Sequence, residues 1–144
     1  MNIDMKQGNL GRFVDAQKGD YELALSEIRS GRKYSHWMWY IFPQIAGLGH
    51  SSTAQYYAIA DLAEAKEYLS HPLLGTRLKK ISRALLDLEK TDPVSILGGI
   101  DAMKLRSSMT LFHLAAPEEM VFMKVLEKFY NGSLDELTVE LSQK

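Results

Sequence analysis

The sequence lacks cysteine altogether, and this absence excludes several kinds of site from the 144-residue chain. Disulfide bonds, thiolate nucleophiles and cysteine-ligated zinc or iron–sulfur centres all need residues that are not there. Long hydrophobic runs are missing too: the longest, Trp37 to Phe42, is far shorter than the roughly 20 apolar residues that cross a bilayer. The polar segment from Met1 to Gly11 has no apolar core of a secretion signal. We therefore expect a soluble, cytoplasmic protein with no membrane partner.

An excess of charge of one sign is the next absence. Lysine and arginine total 17, aspartate and glutamate total 18, and the formal net charge is −1. This balance gives no general attraction to DNA, RNA or an anionic membrane, so no nucleic-acid polymer is expected as a partner. A site for an anion would have to be a local cluster of positive groups.

Recognisable metal and hydrolase motifs are also absent. The four histidines are His36, His50, His71 and His113. Their spacing matches neither H-x-x-x-H nor H-E-x-x-H, so no metal site is predicted. The chain has no G-x-S-x-G motif of the kind that places a serine nucleophile. These patterns identify neither a catalytic residue nor a cofactor, and they leave open whether the chain is an enzyme.

What the sequence does contain is an ordinary globular composition with helical patterning. Hydrophobic residues make up 46% and charged residues 24%, and no repeat or linker interrupts the chain. A chain of this length buries enough surface to fold without a metal or a disulfide. We predict an all-α, single compact domain of about eight helices over residues 12–144, after a partly flexible segment over residues 1–11. The pattern does not distinguish an irregular helical array from a bundle.

Helix start and stop signals support this prediction. The apolar residues Tyr21, Ala24, Leu25 and Ile28 have helical spacing, with Asp20 as the expected N-cap and Gly31 as the expected stop. The same signals predict a short helix around Leu10 to Gln17, one from an N-cap at Ser35 to Pro43, and one that starts at Thr53. Further helices are predicted from an Asp61–Glu64 capping box through Leu69, from His71-Pro72, and after Asp92-Pro93. The last three are predicted from an N-cap at Asp101 to about Leu114, from Pro117 to Tyr130, and from a Ser133–Glu136 capping box.

An aromatic segment, residues 35–43, is the first candidate site. It is predicted to be a short buried helix, and Trp or Tyr side chains in such a helix need polar partners. One interpretation is a wall that stacks a base, with Lys33, His36, Trp39 and Gln44 as the binding residues. The other interpretation is a core helix that only fixes the fold, which is the commoner use of aromatic stripes.

A glycine-containing loop, residues 47–53, is the second candidate. It leads into a helix, where converging backbone N–H groups attract anions, and Ser51, Ser52 and Thr53 would add hydroxyl donors. It is not a Walker loop, because the glycine spacing differs and no lysine precedes the hydroxyls. The alternative is a plain loop that ends in a Ser or Thr N-cap.

The third candidate is the segment from Asp101 to His113, which reads as a helix with apolar residues on two sides and is therefore expected to be largely buried. A partly buried Lys104 or Arg106 would need an anionic partner. That partner is either a ligand phosphate or carboxylate, with Ser107 and Ser108 nearby, or an internal carboxylate such as Asp101, Asp87 or Asp61.

Several motifs of this sequence resemble those of the mostly bacterial family catalogued as domain of unknown function 1810. They include the runs 35–44 and 104–112, together with Gly47-Leu48-Gly49, Tyr57-Ala58-Ile59, residues 68–72 and Leu74-Gly75. The resemblance extends from about Arg12 to Tyr130. It implies a small helical domain, and it implies no activity and no catalytic residues.

Two functions remain open from the sequence. The first is a pocket that binds an anionic small molecule, such as a nucleotide or another phosphate compound, using the three candidate segments. The second is a non-enzymatic protein-interaction module in which the aromatic segment belongs to the core, and this function predicts an exposed apolar patch or a dimer interface. The oligomeric state is left open.

Overall fold

The computed structural model describes residues 2–144, with side chains from Leu10 onward. Ten helices and no strand occur in this part of the chain: α1 Asn2–Gln17, α2 Asp20–Ser30, α3 Met38–Ile41, α4 Ser52–Tyr56, α5 Leu62–Ser70, α6 Leu74–Leu86, α7 Pro93–Leu97, α8 Gly99–Ala115, α9 Met120–Tyr130 and α10 Glu136–Ser142. The all-α prediction is confirmed. Helix α1 is longer than the short piece predicted. The side chains of residues 1–9 lie outside the described part of the chain, so the flexibility predicted for residues 1–11 stays a prediction.

The longest helix, α8, lies at the centre of the fold. It packs against α5, α7, α9 and α10, while α6 packs against α2, α5 and α9. Leu105, Met109 and Phe112 of α8 are completely buried, which confirms that most of this helix lies in the core. Met103 is different, because 73% of its side chain faces solvent. One face of the first half of α8 is therefore left uncovered.

Local signals placed some helix ends correctly. Gly31 ends α2 in the left-handed conformation that glycine adopts without strain, with φ of 86°. The Asp61 carboxylate accepts a hydrogen bond from the Glu64 N–H at 2.8 Å, as the capping box predicts. Asp92 caps α7 in the same way, with Pro93 at the first position.

Other predicted caps are wrong, because their side chains have partners elsewhere or the helix starts at another residue. Ser35 donates its hydroxyl proton to Glu27, and α3 starts after Trp37. Ser133 accepts a hydrogen bond from Arg106, and Asp135 is the N-cap of α10. Other helices have different first residues. Helix α2 begins at Asp20 itself, and α8 begins at Gly99 and has Asp101 in its first turn. Helices α4, α6 and α9 begin at Ser52, Leu74 and Met120 rather than at Thr53, His71-Pro72 and Pro117.

The loops after α3 and α4 are joined by a short backbone link. The Ile59 N–H donates to Gln44 O and the Ala46 N–H donates to Ile59 O, both at 2.8 Å. This parallel bridge fixes the start of the glycine loop beside the buried Ile45 and Ile59 side chains. Over residues 2–144, each helix is too short or too polar to cross a membrane.

Candidate functional site

A buried carboxylate, Glu27 of α2, positions the segment that carries the first candidate residues. Its oxygens accept hydrogen bonds from the Tyr34 and Ser35 N–H groups, the Ser35 hydroxyl and the Trp37 indole at 2.7 to 3.0 Å. Burial raises the pKa of Glu27, but the hydrogen bonds from Ser35, Tyr34 and Trp37 outweigh it and hold the pKa at about 2. The carboxylate is therefore ionised at neutral pH and fixes the backbone between Lys33 and Trp37.

The first depression lies between this segment and the start of α8. It has a volume of about 420 Å³, and its polar and aromatic lining comes from Lys33, His36, Trp39, Asp101 and the backbone of Gly98 and Gly99. No side chain caps the N-terminus of α8. A Cβ added to Gly98 or Gly99 would meet nothing within 4 Å, so this helix end is open.

The charged side chains at this depression form one cluster around Asp101. Lys33 Nζ lies 2.9 Å from Asp101 Oδ2, and Lys104 Nζ lies 3.7 Å from Asp101 Oδ1. Two lysines thus share one carboxylate, and the N-terminus of α8 adds further positive potential. Lys104 Nζ also lies 4.8 Å from the centre of the Trp39 ring. The cluster brings two ammonium groups, one carboxylate and an aromatic ring together beside the start of α8.

A second depression of about 340 Å³ continues along α8 from the first. The two share Ile100, and Lys104 of the second contacts Trp39 of the first. The lining of the second depression combines apolar side chains with a few polar groups: Gln44, Leu48, Gly49, Ala54, Ile100, Met103, Lys104, Ser107, Asp135 and Leu137. The aromatic segment and α8 therefore meet at one surface, whereas the pocket hypothesis required all three candidate segments to converge there.

Five of the predicted site residues lie away from both linings. Ser51 is the N-cap of α4, where its hydroxyl accepts a hydrogen bond from the Ala54 N–H at 3.1 Å, and its exposed neighbours Ser52 and Thr53 begin that helix. Ser108 is fully buried, and its hydroxyl has no hydrogen-bond partner among the described residues. The fifth is Arg106, whose guanidinium binds Ser133 O, Ser133 Oγ and Leu134 O at 2.5 to 3.0 Å.

Arg106 is thus bound by the loop before α10. We expect Arg106→Lys to lower the free energy of unfolding by about 1–2 kcal/mol, because an ammonium group cannot reproduce a planar fork that reaches three oxygens. Chemical denaturation measures this change. Lys124→Arg, at an exposed position of α9, is the control and should leave the stability within about 0.5 kcal/mol of the parent. An Arg106→Lys protein as stable as the parent would show that these bonds contribute nothing.

Sequence analysis did not identify Glu27, the open glycines 98 and 99, or Asp135 as part of this region. A signal for Glu27 exists: it lies three residues after Ala24 and one before Ile28, on the apolar side of α2. The Gly98-Gly99 pair directly before a long helix is a second signal. Asp135 has no such local signal, because it reaches the second depression only through the packing of α10 on α8.

Another depression, of about 560 Å³, lies between α6 and the start of α9. Arg83 and Lys124 line it together with Asp87, Glu118 and Glu119, so its charges favour a cation rather than an anion. Within the described residues, no three His, Asp or Glu side chains come together in a way that could hold a metal ion.

Comparison with known proteins identifies the family. The conserved hypothetical protein Rv1873 from Mycobacterium tuberculosis, solved by crystallography, is 43% identical to this chain, with a TM-score of 0.92. The match covers 94% of this chain and 97% of that one. A search of curated proteins finds no match. The family model described as protein of unknown function (DUF1810) matches residues 7–142. The chain therefore belongs to the DUF1810 family.

Proposed function

We propose that this domain binds an anionic small molecule, such as a phosphate compound, in the first depression. The observation that supports this function best is the convergence of Lys33, His36 and Trp39 on the uncapped N-terminus of α8. A helix N-terminus and nearby cations both stabilise a bound anion. Lys33 and Asp101 balance each other within this lining, so the groups that remain to bind an anion are His36, the N–H groups at the start of α8 and Lys104, which reaches Asp101 from the second depression.

The burial of the side chains is suited to this task. The Lys33 side chain is only 7% exposed and is held by Asp101, so its charge has a fixed position before a ligand arrives. His36 is exposed, on the segment that Glu27 anchors. A fixed cation and an accessible imidazole give an anion two different partners without reorganising the fold.

Thermal-shift measurements with pyrophosphate and ribose 5-phosphate test the proposal. A compound that binds only the folded state raises the melting temperature as its concentration exceeds its dissociation constant. We expect such a rise, and we expect His36→Ala to weaken the binding by about tenfold through the loss of one hydrogen bond to a charged group.

The control is His50→Ala, which removes an exposed histidine outside both depressions and should leave binding unchanged. If neither phosphate compound changes the melting temperature at millimolar concentration, the proposed function is wrong. If both histidine variants weaken binding equally, the anion binds somewhere other than in the first depression.

One observation favours the second candidate function, a protein-interaction module. Ile100 is 75% exposed and Met103 is 73% exposed, and half of the Leu137 side chain also faces solvent beside them. Exposed apolar side chains that share one surface are typical of a docking site. Sedimentation of the parent as a dimer, and of the Leu137→Asp variant as a monomer, would support this function.

A further inference from the structure

The exposed apolar side chains border the second depression, directly beside the cluster of Lys33, Lys104 and Asp101. From this arrangement we infer that the ligand is an anion joined to a flat, largely apolar body with N–H donors, as in a nucleoside monophosphate. The anion would lie in the first depression and the body in the second. The inference rests on the proposed function and specifies its class of ligand.

A stripe of α8 that begins at Ile100, where the two depressions meet, gives the ligand a length. Ile100, Met103, Lys104 and Ser107 have the spacing of one helix stripe, and this stripe runs away from the open N-terminus of α8. From Ile100 to Ser107 the helix rises by about 10 Å. A ligand that reaches both ends must therefore be longer than a free phosphate or a simple carboxylate.

The walls of the second depression limit the length of the ligand to a similar distance. The glycine loop forms one wall through Leu48 and Gly49, and α10 forms the other through Asp135 and Leu137. These two walls meet where Leu141 of α10 packs over Gly47, so closely that a Cβ on Gly47 would lie 3.2 Å from Leu141 Cδ2. A short depression whose walls touch fits a small molecule better than an extended peptide.

Two polar groups in the second depression can recognise the body of the ligand. The carboxylate of Asp135 uses Oδ2 for the Ser107 hydroxyl and for Thr138. In the described part of the chain, neither Asp135 Oδ1 nor the side-chain amide of Gln44 has a hydrogen bond to another residue. An unengaged carboxylate oxygen accepts from N–H donors, and an amide both donates and accepts. One edge of guanine presents both N–H donors and a carbonyl acceptor, next to a flat apolar face.

Isothermal titration with guanosine 5′-monophosphate, ribose 5-phosphate and guanosine separates the two parts of the ligand. We expect the nucleotide to bind at least about tenfold more tightly than either fragment, since it alone fills both depressions. Leu137→Asp places a charge in the second depression only, at the start of a helix that tolerates acidic residues. This variant should abolish the advantage of the nucleotide over ribose 5-phosphate.

The matched control is Leu23→Asp, which puts the same charge at an exposed leucine of α2 and should leave all three affinities unchanged. Equal binding of the nucleotide and ribose 5-phosphate overturns this inference but leaves the proposed function intact. Binding of neither phosphate compound contradicts both. A dimer that Leu137→Asp dissociates overturns the inference as well, because a second copy would then cover the apolar side chains.

Discussion

Glu27→Ala is expected to lower the free energy of unfolding by about 3–5 kcal/mol, measured by urea denaturation at pH 7. The carboxylate accepts four hydrogen bonds, and one of the donors is the buried indole N–H of Trp37. Alanine leaves these donors without an acceptor. It also releases the backbone between Lys33 and Trp37, so the first depression should lose its shape even at temperatures where the protein stays folded.

Glu27→Gln separates the loss of charge from the loss of the hydrogen bonds. Its amide oxygen can still accept from the Tyr34 N–H, the Ser35 N–H and the Trp37 indole, which all bind Oε1 of Glu27. We expect a smaller loss than for alanine, about 1–2 kcal/mol, because neutral acceptors bind more weakly than charged ones. Glu22→Ala removes an exposed carboxylate from the same helix and is the control, with an expected change below about 1 kcal/mol.

The pKa of Glu27 predicts how its contribution to the free energy of unfolding changes with pH. Hydrogen bonds hold the pKa of Glu27 at about 2, below the ordinary value of 4.5. The ionised carboxylate therefore stabilises the folded state fully above pH 4.5, and this contribution is lost as the pH falls toward 2. The stability difference between the parent and Glu27→Gln should shrink over that range. A difference that is the same at pH 7 and pH 3 would contradict the role assigned to the charge.

Sequence analysis succeeded where a feature depends on neighbours along the chain. The ends of α2, α5 and α7 follow from Gly31, Asp61 and the Asp92-Pro93 pair, whose effects are set by their own backbone conformation and nearest N–H groups. The convergence of Lys33, His36 and Trp39 was predictable for the same reason, because they lie within one short segment. The core interpretation holds for Trp37, which is buried, whereas Trp39 lines the first depression and its role in stacking a base stays a prediction.

It failed where a side chain has a partner far away in the sequence. Ser35 and Ser133 look like helix caps, but Glu27 and Arg106 engage their hydroxyls. Arg106 binds hydrogen-bond acceptors, as predicted, but these are oxygens of residues 133 and 134 and not those of a carboxylate. The second depression could not be predicted at all, because it exists only once α10 packs on α8 and the glycine loop closes beside it.

Gly75→Ala is the other substitution with a large expected effect. A Cβ at this position would lie 1.9 Å from Leu69 O and 2.7 Å from Leu69 C, which are backbone atoms of α5. A side chain in the way could rotate, but a backbone carbonyl can move only with its helix. Either α5 or α6 must shift, and α6 carries Leu74, Leu78 and Ile81 into the core. We expect a loss of about 2–3 kcal/mol in the free energy of unfolding, measured by urea denaturation.

Helix propensity alone predicts the opposite sign, so the experiment discriminates between the two effects. Alanine is better than glycine inside a helix by about 1 kcal/mol, and Gly75 lies in the first turn of α6. Gly11→Ala in α1 is the matched control, because a Cβ there would meet nothing within 4 Å. It should leave the stability unchanged or raise it by up to about 1 kcal/mol. If the two variants were equally stable, α5 and α6 would have to be free to separate at this contact. The close approach of Gly75 to Leu69 would then not be what fixes their packing.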